Sequence, residues 1–463
     1  MAGVSLDGAN LKRADLTSVN FAGADLTRAN LTGANLTNTD LTKAHLPGAD
    51  LTGADLTGAD LTRADLTGAN LTRVNLTNAN MTNAHLADAC LRDGSLSGAF
   101  LSGANLTGVD LSGANLTDAD LSYADLTGAN LTDADLSYAD LTLAYLTTAV
   151  LSGASLSGAN LTRTDLTGSD LSNTDLTRVD LKHVSLTGAD LRNSQLIGMD
   201  LTEVNLTGVK LSGADLTGAD LTGADLAGMD LTGTDLSSAN LTDVDLSGAN
   251  LTGAHLKGTT LFGAALKNSN LTNAILSDTD LRRVILTGVD LSGADLRNAH
   301  LAGVDLSGTN LKGGHLAGAN LSNGDFYGAN LTGADLRNAN LTGADLSGAD
   351  LTGADLTGAA VTRVNLMGAT LSDTDLTGAN LSGAALSDRD LRSANLTGAS
   401  LAASDLRNVN LTGMNLSGAD LSEANLTDTN LSGVDLSNSN LSGADLHHTD
   451  LSGAKLIGAK LIG

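Results

Sequence analysis

The chain has 463 residues, 41% of them hydrophobic but only 2% aromatic, with no Trp, one Pro and one Cys, and its 52 acids against 25 bases give a formal charge of −27. A compact core of this size draws much of its buried area from Phe, Tyr and Trp, and a disulfide framework needs paired cysteines, so both classes are excluded. So large an acidic excess repels nucleic acid and anionic membranes and suits a basic partner surface. The opening MAGVSLDGAN lacks a basic-then-apolar leader and no stretch approaches the ~18 apolar residues of a membrane span, so a cytoplasmic protein that binds neither membrane nor nucleic acid is expected.

From Leu6 to Leu461 every fifth residue is large and apolar, and only Phe21, Met81, Phe326 and Val361 depart from Leu. Two residues before each stands a small residue, usually Ala. Asp or Asn lies between them, and Thr or Ser and then often Gly follow. Five residues advance about 500° on an α-helix, so successive Leu side chains wander around the axis; on a straight strand they reverse face at each step. Ala and Leu two apart share one side of an extended segment. A short extended piece with both inward, then a corner at Thr/Ser-Gly, reconciles the two, and Gly, Asn, Asp and Ser are the residues corners favour. Repeated corners wind the chain into stacked coils around a column of Leu.

The run ADLTGADLTGADLTRADLTGANL at 49–71 resembles the pentapeptide-repeat family, and the resemblance extends over residues 4–463. It implies an all-β fold: a right-handed quadrilateral β-helix with four units, or twenty residues, per coil. Residues 1–463 would form one continuous solenoid of about 23 coils, a rod on the order of 110 Å long at the usual strand spacing. A buried Leu is worth roughly 1.5–3 kcal/mol against roughly 1–2 kcal/mol of backbone entropy per residue. No coil stands alone, and stability comes from its neighbours.

Departures from the repeat, in chain order, are where function is sought, because inward positions are fixed by packing. Asp or Asn is replaced in four successive units by His85, Cys90, Ser95 and Phe100, then by Tyr145, Val150 and Ser155, and later by His255, Thr260, Ala265, Ile275 and Ile285. A belt that contacts a partner is the sharp reading and drift within a tolerant repeat the simpler one. Between Arg92 and Arg163 there is no Lys or Arg; the stretch carries Asp93, Asp110, Asp118, Asp120, Asp125, Asp133, Asp135 and Asp140 with Tyr123, Tyr138 and Tyr145. From Asp110 onward these form the candidate partner-binding acidic face. A second base-free stretch runs from Arg407 to Lys455, and bases gather at Lys12-Arg13, Lys182-His183 and Arg282-Arg283. Arg389 stands at an inward Ala position between Asp388 and Asp390 and is expected to turn outward. The closing AKLIGAKLIG places Ile457 and Ile462 where Thr or Ser is usual, so Leu456, Ile457, Leu461 and Ile462 are the candidate self-association end of a homodimer or end-to-end assembly.

No His pairs with Cys or acids at metal-ligand spacing and no nucleophile-base set occurs, so neither enzyme activity nor a cofactor or metal is expected. The many Asn-Leu-Thr/Ser triplets are by-products of the repeat. Two functions follow. The first is a non-enzymatic structural or interaction rod presenting flat acidic faces to protein partners. The second, implied by the resemblance, is a DNA mimic that binds a type II topoisomerase, DNA gyrase or topoisomerase IV, and protects it from inhibitors. Thr ladders on an ice or crystal surface are a third, weaker idea, because Ser alternates freely with Thr.

Overall fold

The computed structural model describes residues 1–386, 391 and 393–461; Arg389 and Ile462 lie outside them. Two compact units share one local pattern, Met1–Asp220 and Leu221–Gly463. Among the described residues there is no helix, and each unit of five except those of Asp180 and Asn205 contributes one extended residue, the position between Ala and Leu, followed two residues later by a corner. Those extended residues pair in parallel with the residue twenty positions on, as in Ser5↔Asp25, Asp25↔His45 and Asn35↔Asp55. Four units of five therefore separate stacked partners.

The backbone accounts explain why a five-residue unit suffices. Around Asp25, its N–H donates to Val4 O at 2.8 Å in the preceding coil, Leu26 N–H donates to His45 O at 2.6 Å in the following one, and the corner amide of Gly23 donates to Thr42 O at 2.8 Å. Ala24 N–H closes the corner onto Phe21 O at 2.8 Å. Four of the five N–H groups are thus satisfied by backbone, three of them through neighbouring coils. The fifth, on Thr or Ser, goes to a side chain.

Leu and Ala positions form the core, with Leu26, Leu56 and Leu136 at 0% exposure and Phe21, Met81, Phe326 and Val361 equally enclosed. Ser or Thr at the Ala position is buried without an orphan hydroxyl: Ser169 Oγ donates to Leu166 O at 2.7 Å, and Thr164 Oγ1 to Leu141 O at 2.8 Å. One enlargement of the core carries its own compensation. Phe326 fills a Leu site, and Gly324 occupies the Ala site of the same unit; a methyl group on Gly324 would lie 2.8 Å from Phe326 Cε2. Gly324→Ala, which installs the repeat's usual residue, is therefore expected to lower stability by about 1–3 kcal/mol through overpacking. Phe326→Leu should recover that loss. Urea denaturation of the two single variants and the double checks the coupling, and additive effects would refute it.

Candidate partner-binding face

The residue between Ala and Leu is half outward, and its side chain is the missing acceptor for the corner. Asp55 Oδ1 receives Thr57 N–H at 3.0 Å and Thr57 Oγ1–H at 2.6 Å, and Asn75 Nδ2 of the next coil donates to it at 3.1 Å. Asn35 does the same for Thr37, at 3.1 Å and 2.6 Å. This is an Asx turn repeated along the chain. It ties up Thr hydroxyl protons that a surface-binding ladder would need, and it engages the Asn of the Asn-Leu-Thr triplets. Where Arg takes the Thr place the same carboxylate holds both groups: Arg337 Nε and Nη2 bind Asp335 at 2.8 and 2.6 Å.

These bonds favour the ionised carboxylate. Lys182 and then Thr202 hold Asp200 down to about 2. Thr52 holds Asp50 below the usual range; at Asp110 burial pushes upward, but Ser112 and Arg92 together outweigh it. A depressed folded-state value contributes stability that is complete above the unfolded value, near 4, and is lost as pH falls through the folded one. The thermal midpoint should be flat from about pH 7 to 5 and fall below about pH 4. A midpoint unchanged down to pH 2 would contradict this. Asn serves as an equal acceptor, so Asp55→Asn should leave the urea midpoint nearly unchanged while Asp55→Ala lowers stability by about 1 kcal/mol.

The twenty-residue register sorts the candidate residues. Phe100, Asp120 and Asp140 stack in one column. Tyr138, with Asp118 one coil below, occupies the corner that enters this face. Tyr123, with Leu143 one coil above, occupies the corner that leaves it. Asp125 and Tyr145 stack in the column just beyond. Asp118, Asp120, Tyr123, Tyr138 and Asp140 are thereby gathered on one face and its edges, while Asp125 and Tyr145 lie on the next face round the coil. Asp110 pairs with Cys90 and Asn130, and Asp135 with Asn115 and Ser155, in other columns; Asp133 sits on a further corner. Those three are not part of the face. Ser102 and Ser122 are hydrogen-bonded at 2.9 Å along its edge.

Exposure marks the same surface. Phe100, Tyr123, Tyr138 and Tyr145 are 51–60% exposed, and the Tyr138 ring lies over Gly158 of the next coil. Leu143 and Thr148 were not singled out in the sequence, although both replace the usual corner Gly. Reading that position alone would have found them. The His85–Phe100 set visits four different columns, one circuit of the coil, whereas His255↔Ile275 and Ala265↔Ile285 stack in pairs. At the candidate self-association end, Leu456 is half-buried and Ile457 and Leu461 are 76% and 53% exposed. Among the described residues, no three His, Cys, Asp or Glu side chains are placed to share a metal ion, and no helix is long and apolar enough to cross a membrane.

The family model described as "Pentapeptide repeats (8 copies)" matches in stretches that run from residues 1–33 through 154–193 and from 200–237 through 429–463. The chain belongs to the pentapeptide-repeat family. Solved structures similar to this pentapeptide-repeat chain include HetL of the cyanobacterium Nostoc sp. Strain PCC 7120, a pentapeptide repeat protein involved in heterocyst differentiation regulation. It is 32% identical over 55% of this chain and 92% of its own, with a TM-score of 0.20. A pentapeptide repeat protein of the Arabidopsis thaliana thylakoid lumen is 34% identical over 29% of this chain and 68% of its own, with a TM-score of 0.15. QnrB1, a plasmid-mediated fluoroquinolone resistance protein, is 25% identical over 42% of this chain and 92% of its own, with a TM-score of 0.22. No protein with a curated description matches.

Proposed function

We propose that this pentapeptide-repeat chain is a non-enzymatic interaction protein, each unit winding as a right-handed β-helix of square section, that offers flat acidic faces to protein partners. The face bounded by Tyr138 and Tyr123 is the contact surface. One observation carries the reading. Tyr123, Tyr138, Leu143 and Thr148 hold left-handed corners with φ of 58°, 60°, 59° and 58°. Among the described residues, no other tyrosine, large aliphatic or β-branched side chain does so. An L-residue there is disfavoured by roughly 1–2 kcal/mol, which Gly avoids. Non-Gly residues hold left-handed corners along the whole chain, from Arg13 to His448, but among the described residues only this stretch turns aromatic and large aliphatic groups outward from them beside carboxylates with no Lys or Arg between Arg92 and Arg163, the pattern of a used surface. The matching partner is a protein with a basic surface that carries apolar groups. Exposed Ile457 and Leu461 support a second contact, to another copy of the chain, at Leu456–Ile462.

The charge density of the base-free stretch favours one particular partner class. Its eight carboxylates fall within three and a half coils, roughly one per 2 Å of axis at ordinary strand spacing, against about 1.7 Å per charge in duplex DNA. That supports the DNA-mimic reading, with a type II topoisomerase such as DNA gyrase or topoisomerase IV as partner.

The test is a gyrase supercoiling assay with and without a fluoroquinolone, at two salt concentrations. Salt-sensitive inhibition or rescue by the wild-type chain is expected, and replacement of Asp118, Asp120 and Asp140 by Asn should weaken it with the fold retained. Absence of any effect at micromolar protein would remove the mimic and leave a different basic partner. Tyr123→Gly separates the two roles of that corner. It should leave the unfolding midpoint unchanged or raised, because strain is released, while reducing partner binding; a lowered midpoint would count against the strain argument.

A further inference from the structure

The inward small-residue position carries Ala over most of the chain, but of the ten such sites from Thr164 to Val209 only Ala189 keeps it. Stacked coils lie about 4.8 Å apart at ordinary strand spacing, and a β-branched side chain has little freedom to turn aside. Val stands directly over Val at two places, Val184 below Val204 and Val284 below Val304. At both, the pairing of the residues beside them is lost: Ser185 does not pair with Asn205, nor Ile285 with Asp305.

The first of these gaps extends further. Val179 lies below Met199, and next to them Asp180 pairs with neither Asn160 nor Asp200. The N–H groups of Leu161, Leu181 and Leu186 have no backbone acceptor in the following coil. Val179, Val184 and Met199 are 5–7% exposed, whereas Ala124 and Ala139 at equivalent sites are at 0%. The other side of the same coils is closed. Asp170, Asp190 and Lys210 pair in sequence, with Leu171 N–H on Asp190 O at 2.7 Å and Leu191 N–H on Lys210 O at 2.8 Å. Asp190, the one buried carboxylate among the described residues, is held there by Arg192 Nε at 2.8 Å, Arg192 Nη2 at 2.6 Å and Lys210 Nζ at 3.3 Å. In the column between the closed and open ones, Leu176 N–H reaches Gln195 O only at 3.2 Å.

We propose that residues 160–206 form a one-sided hinge, in which the coils spread along Asn160, Asp180 and Asp200 and turn about the clasped column of Asp170, Asp190 and Lys210. Crowding of Val and Met at sites dimensioned for Ala holds one side apart, and the Arg192–Asp190–Lys210 clasp keeps the other together. Asn160 pairs with Asp140, so the opening lies on the side of the contact face. A partner that follows that face along the stack meets a surface whose spacing adjusts to it. That use rests on the contact reading; the opening rests on the stacking alone.

The experiment measures both sides in the full chain carrying Cys90→Ser. Nitroxide labels are placed four coils apart, at positions 122 and 202 on the open side and at 132 and 212 on the closed side. A broad distance distribution is expected for the first pair and a narrow one for the second; equal widths overturn the hinge. Amide exchange tests the cause. Leu186 N–H should exchange about a hundredfold or more faster than Leu171 N–H. Val184→Ala combined with Val204→Ala restores the repeat's usual residue and should slow Leu186 to the rate of Leu171. Ala104→Val combined with Ala124→Val should in turn speed the exchange of Leu106 N–H, now bonded to Asp125 O at 2.7 Å. Protection of Leu186 equal to that of Leu171 in the unaltered chain overturns the proposal, as does a Leu186 rate that the Ala pair leaves unchanged. Neither readout involves a partner, so failure of the contact reading and failure of the hinge are told apart.

Discussion

Everything in this chain depends on hydrogen bonds between residues about twenty apart. No unit of five closes its own backbone bonds, as one turn of helix does within a few residues. The amides of Asp25, Leu26 and Gly23 are satisfied only because Val4 lies below and His45 and Thr42 lie above. That places cooperativity along the stack rather than around a centre, and it makes the Leu column a consequence of the register as much as a cause of it. The side-chain oxygen of Asp or Asn completes the account by taking the one amide the neighbouring coils leave over. With that acceptor in place, a corner has no unsatisfied group, and the outward positions are released for other uses.

Much of this was legible in the sequence. The inward Ala and Leu, the corner at Thr/Ser-Gly and the family followed from a phase that never slips. The number of residues per coil did not follow from period alone, because a corner of unspecified angle closes with three, four or five units; only the pairing of Ser5 with Asp25 and its successors states it. The Asx position was read as an outward surface site free to carry function. In the structure it is first a structural acceptor, and its charge is secondary. Local sequence cannot reveal this, since Asp and Asn appear there indifferently and both satisfy the same bond.

The site was legible to a lesser degree. The acidic stretch was visible as an absence of Lys and Arg, but linear proximity is a poor guide to which side of a coil a residue occupies. Asp133 and Asp135 fall away from the face, while Asp120 and Tyr138 come together with Phe100. Leu143 and Thr148 escaped notice because a substitution for Gly looks conservative until the backbone conformation it must adopt is known.

The equivalence of Asp and Asn at the cap has a consequence for how such a chain changes over time. The two residues differ by a single base in their codons, and both keep the corner closed. Asn adds a donor that reaches a neighbouring coil, as Asn75 Nδ2 does to Thr57 Oγ1 at 2.8 Å, whereas Asp leaves a charge. Electrostatic pattern is thereby uncoupled from foldability. A lineage can redraw the field that a partner meets, one lattice point at a time, without passing through unstable intermediates. Few folds allow specificity to be rewritten with so little resistance from the core.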